Sequence, residues 1–397
     1  MSAPLPIGYS FAGLYCGIKR DTSKLDLSLV VSDRDAVAAG VYTTSLVFAA
    51  PVGLDRQRTP GQSLRGVVVN SGNANACTGE RGDRDARQMA DWAAAGSDAR
   101  GEQFLVMSTG IIGEFLPMEI IGAGIKQCRA QLAASADGLD RASRGILTTD
   151  TRPKVAGRVL ELGGRKITIT GFCKGAAMIG PKMATMLGLV MTDAALTPAD
   201  AQALLSEAVE ESFNCISVDG HMSTNDTVLL LANGAAGGTP LAGSDLQAFA
   251  KVLREVCIEL AVAIPTDGEG ATHLVTYEVE GCATRAEARQ IAKTVAESPL
   301  VKTAIAGADP NWGRIVSAAG YSGVKFDPAQ VKLWVNNLPL YHNGAPLDFD
   351  EHQVSASIRD HRDTHVRLTF GEGNARIRFW GTDLTAEYVR LNADYHT

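Results

Sequence analysis

The most informative part of this 397-residue chain is the segment from Gly171 to Ala194, GFCKGAAMIGPKMATMLGLVMTDA. Within it, Thr185 separates an approach rich in glycine and small residues from an apolar run. Glycine permits tight backbone bends, and such bends can store strain. We therefore expect the Thr185 hydroxyl to reach the carbonyl group of the preceding residue, Ala184. A threonine beside an apolar run is more often an ordinary buried hydroxyl, so this feature alone does not establish catalysis.

Such a geometry would allow the chain to cut itself. Attack of the hydroxyl on the Ala184 carbonyl would replace the amide with an ester, and hydrolysis of that ester would leave Thr185 as a new N-terminus. An α-amino group has a reference pKa of about 7.7–8.0, close to neutrality. An N-terminal threonine therefore carries its own general base beside its nucleophilic hydroxyl, and no separate histidine is required.

Eight other motifs of unusual composition are spread over nearly the whole chain. They are Val69–Ala76 (VNSGNANA), Ser108–Gly113 (STGIIG), Thr148–Lys154 (TTDTRPK), Ser223–Thr227 (STNDT), Asp267–Thr272 (DGEGAT), Ser298–Thr303 (SPLVKT), Asp309–Arg314 (DPNWGR) and Asn392–Thr397 (NADYHT). Together with the segment around Thr185, they resemble the ornithine acetyltransferase (glutamate N-acetyltransferase) family. The resemblance implies self-cleavage between Ala184 and Thr185 into an α chain, residues 1–184, and a β chain, residues 185–397.

The resemblance also implies an activity, which is the recycling step of arginine biosynthesis. In a ping-pong reaction, Thr185 would take the acetyl group from N2-acetyl-ornithine and pass it to glutamate. It implies no cofactor, with acetyl-CoA only as a second acetyl donor. The cleaved chains would stay together and assemble further, as an α2β2 heterotetramer or larger, on an N-terminal-nucleophile-like fold shared between both chains.

Site residues are carried over from the same resemblance. Thr109 and Gly110 follow a predicted strand and match the pair that donates hydrogen bonds to the developing oxyanion. Glu269 lies between two glycines and would hold a substrate ammonium group, while a cation at Lys174 would lower the pKa of the Thr185 amine. The positions that match substrate-binding residues are Thr151, Lys174, Thr185, Glu269, Asn392 and Thr397.

Composition and charge indicate which class of protein this chain belongs to. The chain is 45% hydrophobic and 20% charged, which is typical of a globular protein with a large core. Its net charge of −7 does not favour nucleic-acid binding, and no apolar run approaches the ~20 residues of a membrane span. The N-terminus lacks a secretory pattern, and seven scattered cysteines fit a reducing compartment, so we expect a cytoplasmic protein without a membrane or nucleic-acid partner.

The periodicity predicts a mixed α/β fold with sheets covered by helices. Strands are expected at 25–32, 65–70, 103–108, 165–171, 332–336, 365–370 and 375–381. Helices are expected at 83–95, 117–134, from Thr197 to about 214, 241–263, and from the capping box at Thr284 to about 297. Residues 186–192 suit a strand or a buried helix, and we expect a strand. Soft boundaries are expected at 133–140 and, between sub-domains, at 343–353.

Two other functions remain open at this level. One is an N-terminal-nucleophile amidohydrolase or aminopeptidase, in which water takes the acyl group. The other is a catalytically silent homologue that binds amino acids. Cys173 beside Lys174 is a weaker candidate nucleophile. A metal held by Asp219, His221 and Asp226 fits no zinc or calcium pattern, so we expect none.

Several positions that flank the motifs depart from the family's usual residues. They are Ala177, Lys182, His221, Met222, His273 and His396. None replaces a motif residue, so the departures bear on side-chain specificity and leave the expected nucleophile unchanged.

Overall fold

The computed structural model describes residues 3–180 and 186–394, and within them the larger of two sheets has eight strands. They are β1 Tyr9–Leu14, β2 Leu27–Tyr42, β3 Gly61–Asn73, β4 Phe104–Ile111, β5 Lys154–Leu162, β6 Arg165–Lys174, β7 Leu187–Thr192 and β8 Thr227–Ala232. Their order is β4-β3-β2-β8-β7-β6-β5, with β1 paired to β2. Only β3–β4 and β7–β8 are parallel pairs among these strands.

The smaller sheet is built entirely from the second half of the chain. Its strands are β9 Leu274–Cys282, β10 Lys332–Val335, β11 Leu338–His342, β12 Ala345–Pro346, β13 Asp363–Thr369 and β14 Ala375–Thr382. They lie in the order β12-β11-β10-β13-β9-β14, and only β13 and β9 are parallel among the strands described.

Eleven α-helices are found in the described ranges. They are α1 Ala50–Arg58, α2 Gly79–Ala94, α3 Met118–Ala130, α4 Ala136–Gly145, α5 Pro198–Glu210, α6 Gly243–Thr266, α7 Arg285–Glu297, α8 Pro299–Ala306, α9 Trp312–Gly320, α10 Glu351–Arg359 and α11 Ala386–Asp394. The long α6 contacts β5 and β6 of the larger sheet and β14 of the smaller one, so it links the two sheets. No helix in the described part of the chain is both long and apolar enough to cross a membrane.

Strand β7 lies in the middle of the larger sheet, and all six of its residues are buried. Leu187 and Leu189 belong to the apolar cluster on one face of the sheet, whereas Val190 belongs to the cluster that includes α5, α6 and α7 on the other. A strand covered on both faces carries a continuous apolar run instead of an alternating one. This explains why periodicity alone does not separate strand from helix at this segment.

The predicted mixed α/β fold is confirmed, and so is the strand after Thr185. The capping box also forms: Thr284 Oγ1 accepts from Glu287 N, and a Glu287 carboxylate oxygen accepts from Thr284 N. The predicted helix at 117–134 is too long, because α3 ends at Ala130. The expected soft boundary at 133–140 instead contains the start of α4, where the Ser135 hydroxyl accepts from Gly138 N.

Candidate active site

Thr109 and Gly110 lie at the end of β4, beside the parallel strand β3. Ser71 is the cross-strand partner of Thr109, and Gly72 that of Gly110. Gly110 has a φ of 135°, and a Cβ there would lie 2.2 Å from the Gly72 carbonyl carbon. Only glycine fits this position without displacing the neighbouring strand. Thr109 is buried, so its hydroxyl works in a setting largely shielded from water.

Lys174 is the last residue of β6 and is only 2% exposed. Its Nζ donates to Thr109 Oγ1 at 3.3 Å. Burial lowers the pKa of Lys174, and the nearby Asp150 carboxylate opposes that shift. Because Thr109 Oγ1 accepts this bond, the Thr109 hydroxyl proton stays available for donation to another group. The predicted oxyanion pair and the predicted lysine are therefore in contact.

A buried ionic cluster supports the lysine. Lys154 Nζ donates to Asp150 Oδ1 at 2.5 Å and to Asp267 Oδ2 at 2.6 Å. Asp150 Oδ1 also accepts from Gly175 N at 2.7 Å, next to Lys174. Burial alone would raise the pKa of Asp150, but Lys154 and Lys174 outweigh it and hold that pKa below its ordinary value. The cluster therefore joins the Thr148–Lys154 and Asp267–Thr272 motifs to the end of β6.

Thr151 lies beside this cluster with its hydroxyl already engaged. Its backbone N donates to Asp267 Oδ2 at 3.0 Å, and its Oγ1 donates to Asp267 Oδ1. The Thr151 proton is thus committed to the protein, whereas the oxygen lone pairs remain free to accept. In this arrangement Thr151 can accept a hydrogen bond from a substrate N–H group.

Glu269 and Asn392, far apart in the chain, meet near the same place. Asn392 Nδ2 donates to Glu269 Oε2 at 3.0 Å, and Glu269 N donates to Ala176 O at 2.9 Å, two residues beyond Lys174. Gly270 has a φ of 65°, and a Cβ there would come within 2.4 Å of the Tyr388 backbone nitrogen. A glycine after Glu269 thus lets helix α11 approach the carboxylate-bearing turn closely.

Three predicted site residues lie outside the described residues. They are Ala184 at the predicted cleavage site, the predicted nucleophile Thr185, and Thr397, the last predicted substrate-binding residue. Met186 is the next described residue, and its backbone N donates to Asp226 Oδ1 at 3.0 Å. Asp226 is fully buried, and burial raises its pKa to about 7 despite hydrogen bonds from Ser223 and Met186.

Four side chains with clear contacts here were not predicted as site residues. Asp150 and Lys154 form the ionic cluster, Asp226 contacts Met186, and Asn225 Nδ2 donates to Ser108 O at 2.7 Å and to Ala74 O at 2.6 Å. All four lie inside quoted motifs: Asp150 and Lys154 share a motif with the predicted ligand Thr151, whereas Asn225 and Asp226 lie in a motif that holds no predicted site residue. Opposite charges within one motif were the available signal for Asp150 and Lys154, but sequence alone does not say which partner each residue contacts.

The structure does not support the weaker alternatives. Cys173 is fully buried, its Sγ contacts Leu260 O, and burial raises its pKa to about 12, which suppresses the reactive thiolate. Asp219 is occupied by the backbone N–H groups of Met178 and Ile179. Across residues 3–180 and 186–394, no group of three His, Cys, Asp or Glu side chains is placed to hold a metal ion.

A buried threonine beside a half-buried glycine, a buried lysine and a carboxylate-bearing turn on a mixed α/β fold form a site suited to acyl transfer. Comparison with known proteins gives the family. The chain belongs to the ArgJ family, which it matches over residues 10–397.

Similar proteins extend along almost the full length. The arginine biosynthesis bifunctional protein ArgJ of Rhodopirellula baltica is 45% identical over 396 residues, covering 99% of this chain and 96% of that protein. The protein of the same name from Symbiobacterium thermophilum is 48% identical over 395 residues, covering 99% and 98%. Sequence similarity therefore spans both sides of Thr185.

Solved structures match part of the chain. The arginine biosynthesis bifunctional protein ArgJ of Bacillus halodurans is 40% identical with a TM-score of 0.51, covering 52% of this chain and 98% of that one. The ornithine acetyltransferase of Mycobacterium tuberculosis, solved in complex with ornithine, is 36% identical with a TM-score of 0.40, covering 44% and 92%.

Proposed function

We propose that this protein is an acetyltransferase of arginine biosynthesis, which moves the acetyl group of N2-acetyl-ornithine to glutamate through an ester on Thr185. The observation that carries the proposal is the contact of Lys174 Nζ with Thr109 Oγ1 at 3.3 Å, because it leaves the Thr109 proton free for an oxyanion. Membership of the ArgJ family supports the reaction, since both relatives described above are named arginine biosynthesis proteins.

The enzyme first matures by cutting itself between Ala184 and Thr185. Thr185 Oγ attacks the Ala184 carbonyl carbon, the C–N bond breaks, and the Oγ proton passes to the nitrogen. Water then adds to the resulting ester, so that Ala184 gains a carboxylate and Thr185 Oγ regains a proton. The freed α-amine serves as the general base of the mature enzyme, a role that suits α-amines because their reference pKa is about 7.7–8.0.

Acetyl transfer then proceeds in two halves. Thr185 Oγ attacks the acetyl carbonyl of N2-acetyl-ornithine while the α-amine takes its proton and returns it to the leaving ornithine nitrogen. The glutamate amine next attacks the acetyl ester, loses a proton to the same α-amine, and leaves as N-acetylglutamate while Oγ is reprotonated. Thr109 Oγ1–H and Gly110 N–H donate to the oxyanion in both halves.

The negatively and positively charged groups of the substrate are bound by different residues. Lys174 holds a carboxylate of the amino-acid substrate, and Glu269 with Asn392 holds an ammonium group. Thr151 accepts a hydrogen bond, as its committed proton requires, and Thr397 completes the site from the end of the chain. Water must be kept from the acetyl ester between the two halves, which a pocket closed by the C-terminus would achieve.

The cleaved α chain, 1–184, and β chain, 185–397, remain one folded unit in the cytoplasm and assemble as α2β2 or larger. N-terminal-nucleophile architecture suits this division, because the nucleophile begins the second chain. The reaction uses no cofactor. The transfer assays should include acetyl-CoA as a second acetyl donor, because the two relatives are named bifunctional proteins.

The decisive experiment combines intact mass and N-terminal sequencing with acetyl-transfer assays. We expect two chains, one of which begins Thr-Met-Leu-Gly, and acetyl transfer from N2-acetyl-ornithine to glutamate. The Thr185→Ala variant should remain a single, inactive chain of 41.8 kDa. An uncut wild-type chain, or an uncut Thr185→Ala chain with full transferase activity, would contradict the proposal. Acetate release without N-acetylglutamate would identify a hydrolase instead.

A further inference from the structure

We propose that Asp226 is a positioning residue for the nucleophile, and that self-cleavage depends on its carboxylate. The inference rests on the proposed function, because it concerns how Thr185 is aimed. Asp226 is not among the residues that the family resemblance assigns to substrate or oxyanion. The positioning role of Asp226 is inferred from the contacts of Met186, the first described residue after Thr185.

Met186 is held on both sides. Its backbone N donates to Asp226 Oδ1 at 3.0 Å, and its backbone O accepts from Thr227 N at 3.1 Å. One residue further on, Leu187 pairs with Lys174 of β6 and with Thr227 of β8. The start of β7 is therefore fixed against the sheet, and the Asp226 carboxylate binds the backbone N of Met186, the first described residue after Thr185.

Because the peptide bond is planar, a hydrogen bond that fixes Met186 N–H also restricts the residue before it. The plane that contains Met186 N–H also contains the carbonyl group and the Cα of Thr185. A carboxylate that fixes the direction of Met186 N–H therefore constrains the position of the Thr185 Cα, from which the nucleophilic side chain projects. Rotation about the Cα–C bond and about the Cα–Cβ bond of Thr185 remains to be set by other contacts.

The carboxylate is itself held in place. Asp226 Oδ1 accepts from Ser223 Oγ at 2.9 Å, Oδ2 accepts from Ser223 N at 3.3 Å, and the Asp226 backbone O accepts from Thr43 N at 2.8 Å. The neighbouring Asn225 donates to Ser108 O, next to Thr109. Asn225 and Asp226 thus connect β4, which carries the proposed oxyanion pair, with the start of β7, which follows the proposed nucleophile.

The hydrogen bond from Met186 N to the Asp226 carboxylate matters most before cleavage. In the uncut chain the nitrogen of Thr185 is an amide, so the α-amine that serves as base in the mature enzyme does not yet exist. Orientation of the hydroxyl toward the Ala184 carbonyl then has to come from surrounding groups. A misplacement of about 1 Å can slow a reaction about a hundredfold, so loss of the carboxylate should be visible in the cleavage rate.

The test follows self-cleavage in time, using full-length chain made in a cell-free translation reaction and stopped at intervals for intact-mass analysis. We expect Asp226→Ala to cleave about a hundredfold more slowly than wild type, since no acceptor remains for Met186 N–H. Asp226→Asn keeps one acceptor oxygen and should be rescued in part. Ser223→Ala, which only loosens the carboxylate, should slow cleavage least and tests the inference independently if Asp226→Ala does not fold.

Asp193 provides a matched control at the opposite end of β7. It is equally buried and accepts backbone hydrogen bonds from Thr168 N at 2.7 Å and Ile7 N at 3.0 Å. Asp193→Ala and Asp193→Asn should lower the melting temperature as the Asp226 variants do, yet the folded chain should cleave at the wild-type rate. Acetyl transfer per cleaved chain gives a second measure of positioning in the mature enzyme.

The outcomes separate this inference from the proposed function. Wild-type cleavage rates in folded Asp226→Ala and Asp226→Asn would overturn the positioning role while leaving Thr185 as the nucleophile. Equal slowing by the Asp193 variants at equal melting temperature would also overturn it, by showing a general effect of stability. A wild-type chain that never cleaves would instead overturn the proposed function. Slow cleavage confined to Asp226 and Ser223 variants would support the inference.

Discussion

Thr109 can donate one hydrogen bond and accept others, and its neighbours decide which way it acts. Lys174 Nζ, a donor only, occupies an acceptor position of Thr109 Oγ1. The threonine proton must then point to a different group, and in an acyl-transfer site that group is the developing oxyanion. In the proposed mechanism, Lys174 therefore contributes by orienting the hydroxyl of Thr109, which is a neutral donor.

Replacing Thr109 with alanine should remove this donor without a large loss of stability. We expect kcat for acetyl transfer to fall about 100- to 1000-fold, the usual effect of losing one oxyanion donor. The KM for N2-acetyl-ornithine should change little, since the bond forms mainly in the transition state. Steady-state kinetics of the cleaved enzyme would measure both constants. Thr109→Ser retains the hydroxyl and should stay close to wild type, and a Thr109→Ala enzyme with unchanged kcat would exclude the assigned role.

At the scale of secondary-structure elements, the position of the proposed oxyanion pair, Thr109 and Gly110, depends on how closely two parallel strands approach. At the end of β4, Gly110 lies beside Gly72 of β3, and a Cβ on Gly110 would overlap the backbone of β3. The neighbouring Thr109 is thereby held at a strand end instead of a free loop. Strand ends supported by a sheet position catalytic groups better than loops do.

The Gly110→Ala variant should show whether stability and acetyl transfer depend on the close packing of β4 against β3 or only on backbone strain at a positive φ. Its Cβ would lie 2.2 Å from the Gly72 carbonyl carbon, so β4 and β3 must part, at a cost of about 1–3 kcal/mol beyond the strain of a positive φ. We expect a lower melting temperature and severe loss of acetyl transfer. Gly113→Ala is the control, because Gly113 has a φ of 87° but nothing within 4 Å of its added Cβ. Similar losses in both variants would show that strain alone is responsible.

Particular elements show what the sequence predicts and what it does not. Helix α7 is predictable because its capping box is local: Thr284 and Glu287 satisfy each other three residues apart. The cluster of Asp150, Lys154 and Asp267 is different, because Lys154 and Asp267 are 113 residues apart and meet only through the fold. Motifs therefore indicate which residues form the candidate site, whereas their long-range pairings arise only in the folded chain.

At the scale of the whole molecule, one buried pair should make stability depend on pH. His273 Nδ1 lies 2.9 Å from Asp383 Oδ2, and His273 Nε2 lies 3.2 Å from Ile358 O, so the pair ties the start of β9 to the end of β14 and to α10. The hydrogen bond with Asp383 raises the pKa of His273, against burial and the repulsion of Arg362. Burial would raise the pKa of Asp383, but hydrogen bonds from His273 and Thr272 hold it below its ordinary value.

The raised pKa of His273 and the lowered pKa of Asp383 determine at which pH values the pair stabilises the fold. A raised histidine pKa gives stability that is complete below about 6.5 and is lost as pH rises through the folded value. A lowered aspartate pKa gives stability that is lost only below about 4. His273→Gln should therefore lower the melting temperature more at pH 5.5 than at pH 9, as thermal unfolding at both values would show. The exposed His352→Gln is the control, and an equal loss at both pH values would contradict the charged pair.

Cleavage between Ala184 and Thr185 would divide the chain but not the core. In the larger sheet, β7 and β8 come after the cleavage site, yet they lie between β2 and β6, which come before it. Every residue of β7 and β8 is buried, so separating the chains would expose two central strands and their unpaired backbone groups. We expect two chains under denaturing conditions, but native mass spectrometry should give one species of 41.8 kDa plus one water, or a multiple of it. The Thr185→Ala chain should give one species in both. Separation of the wild-type chains without unfolding would show that the shared sheet does not hold them together.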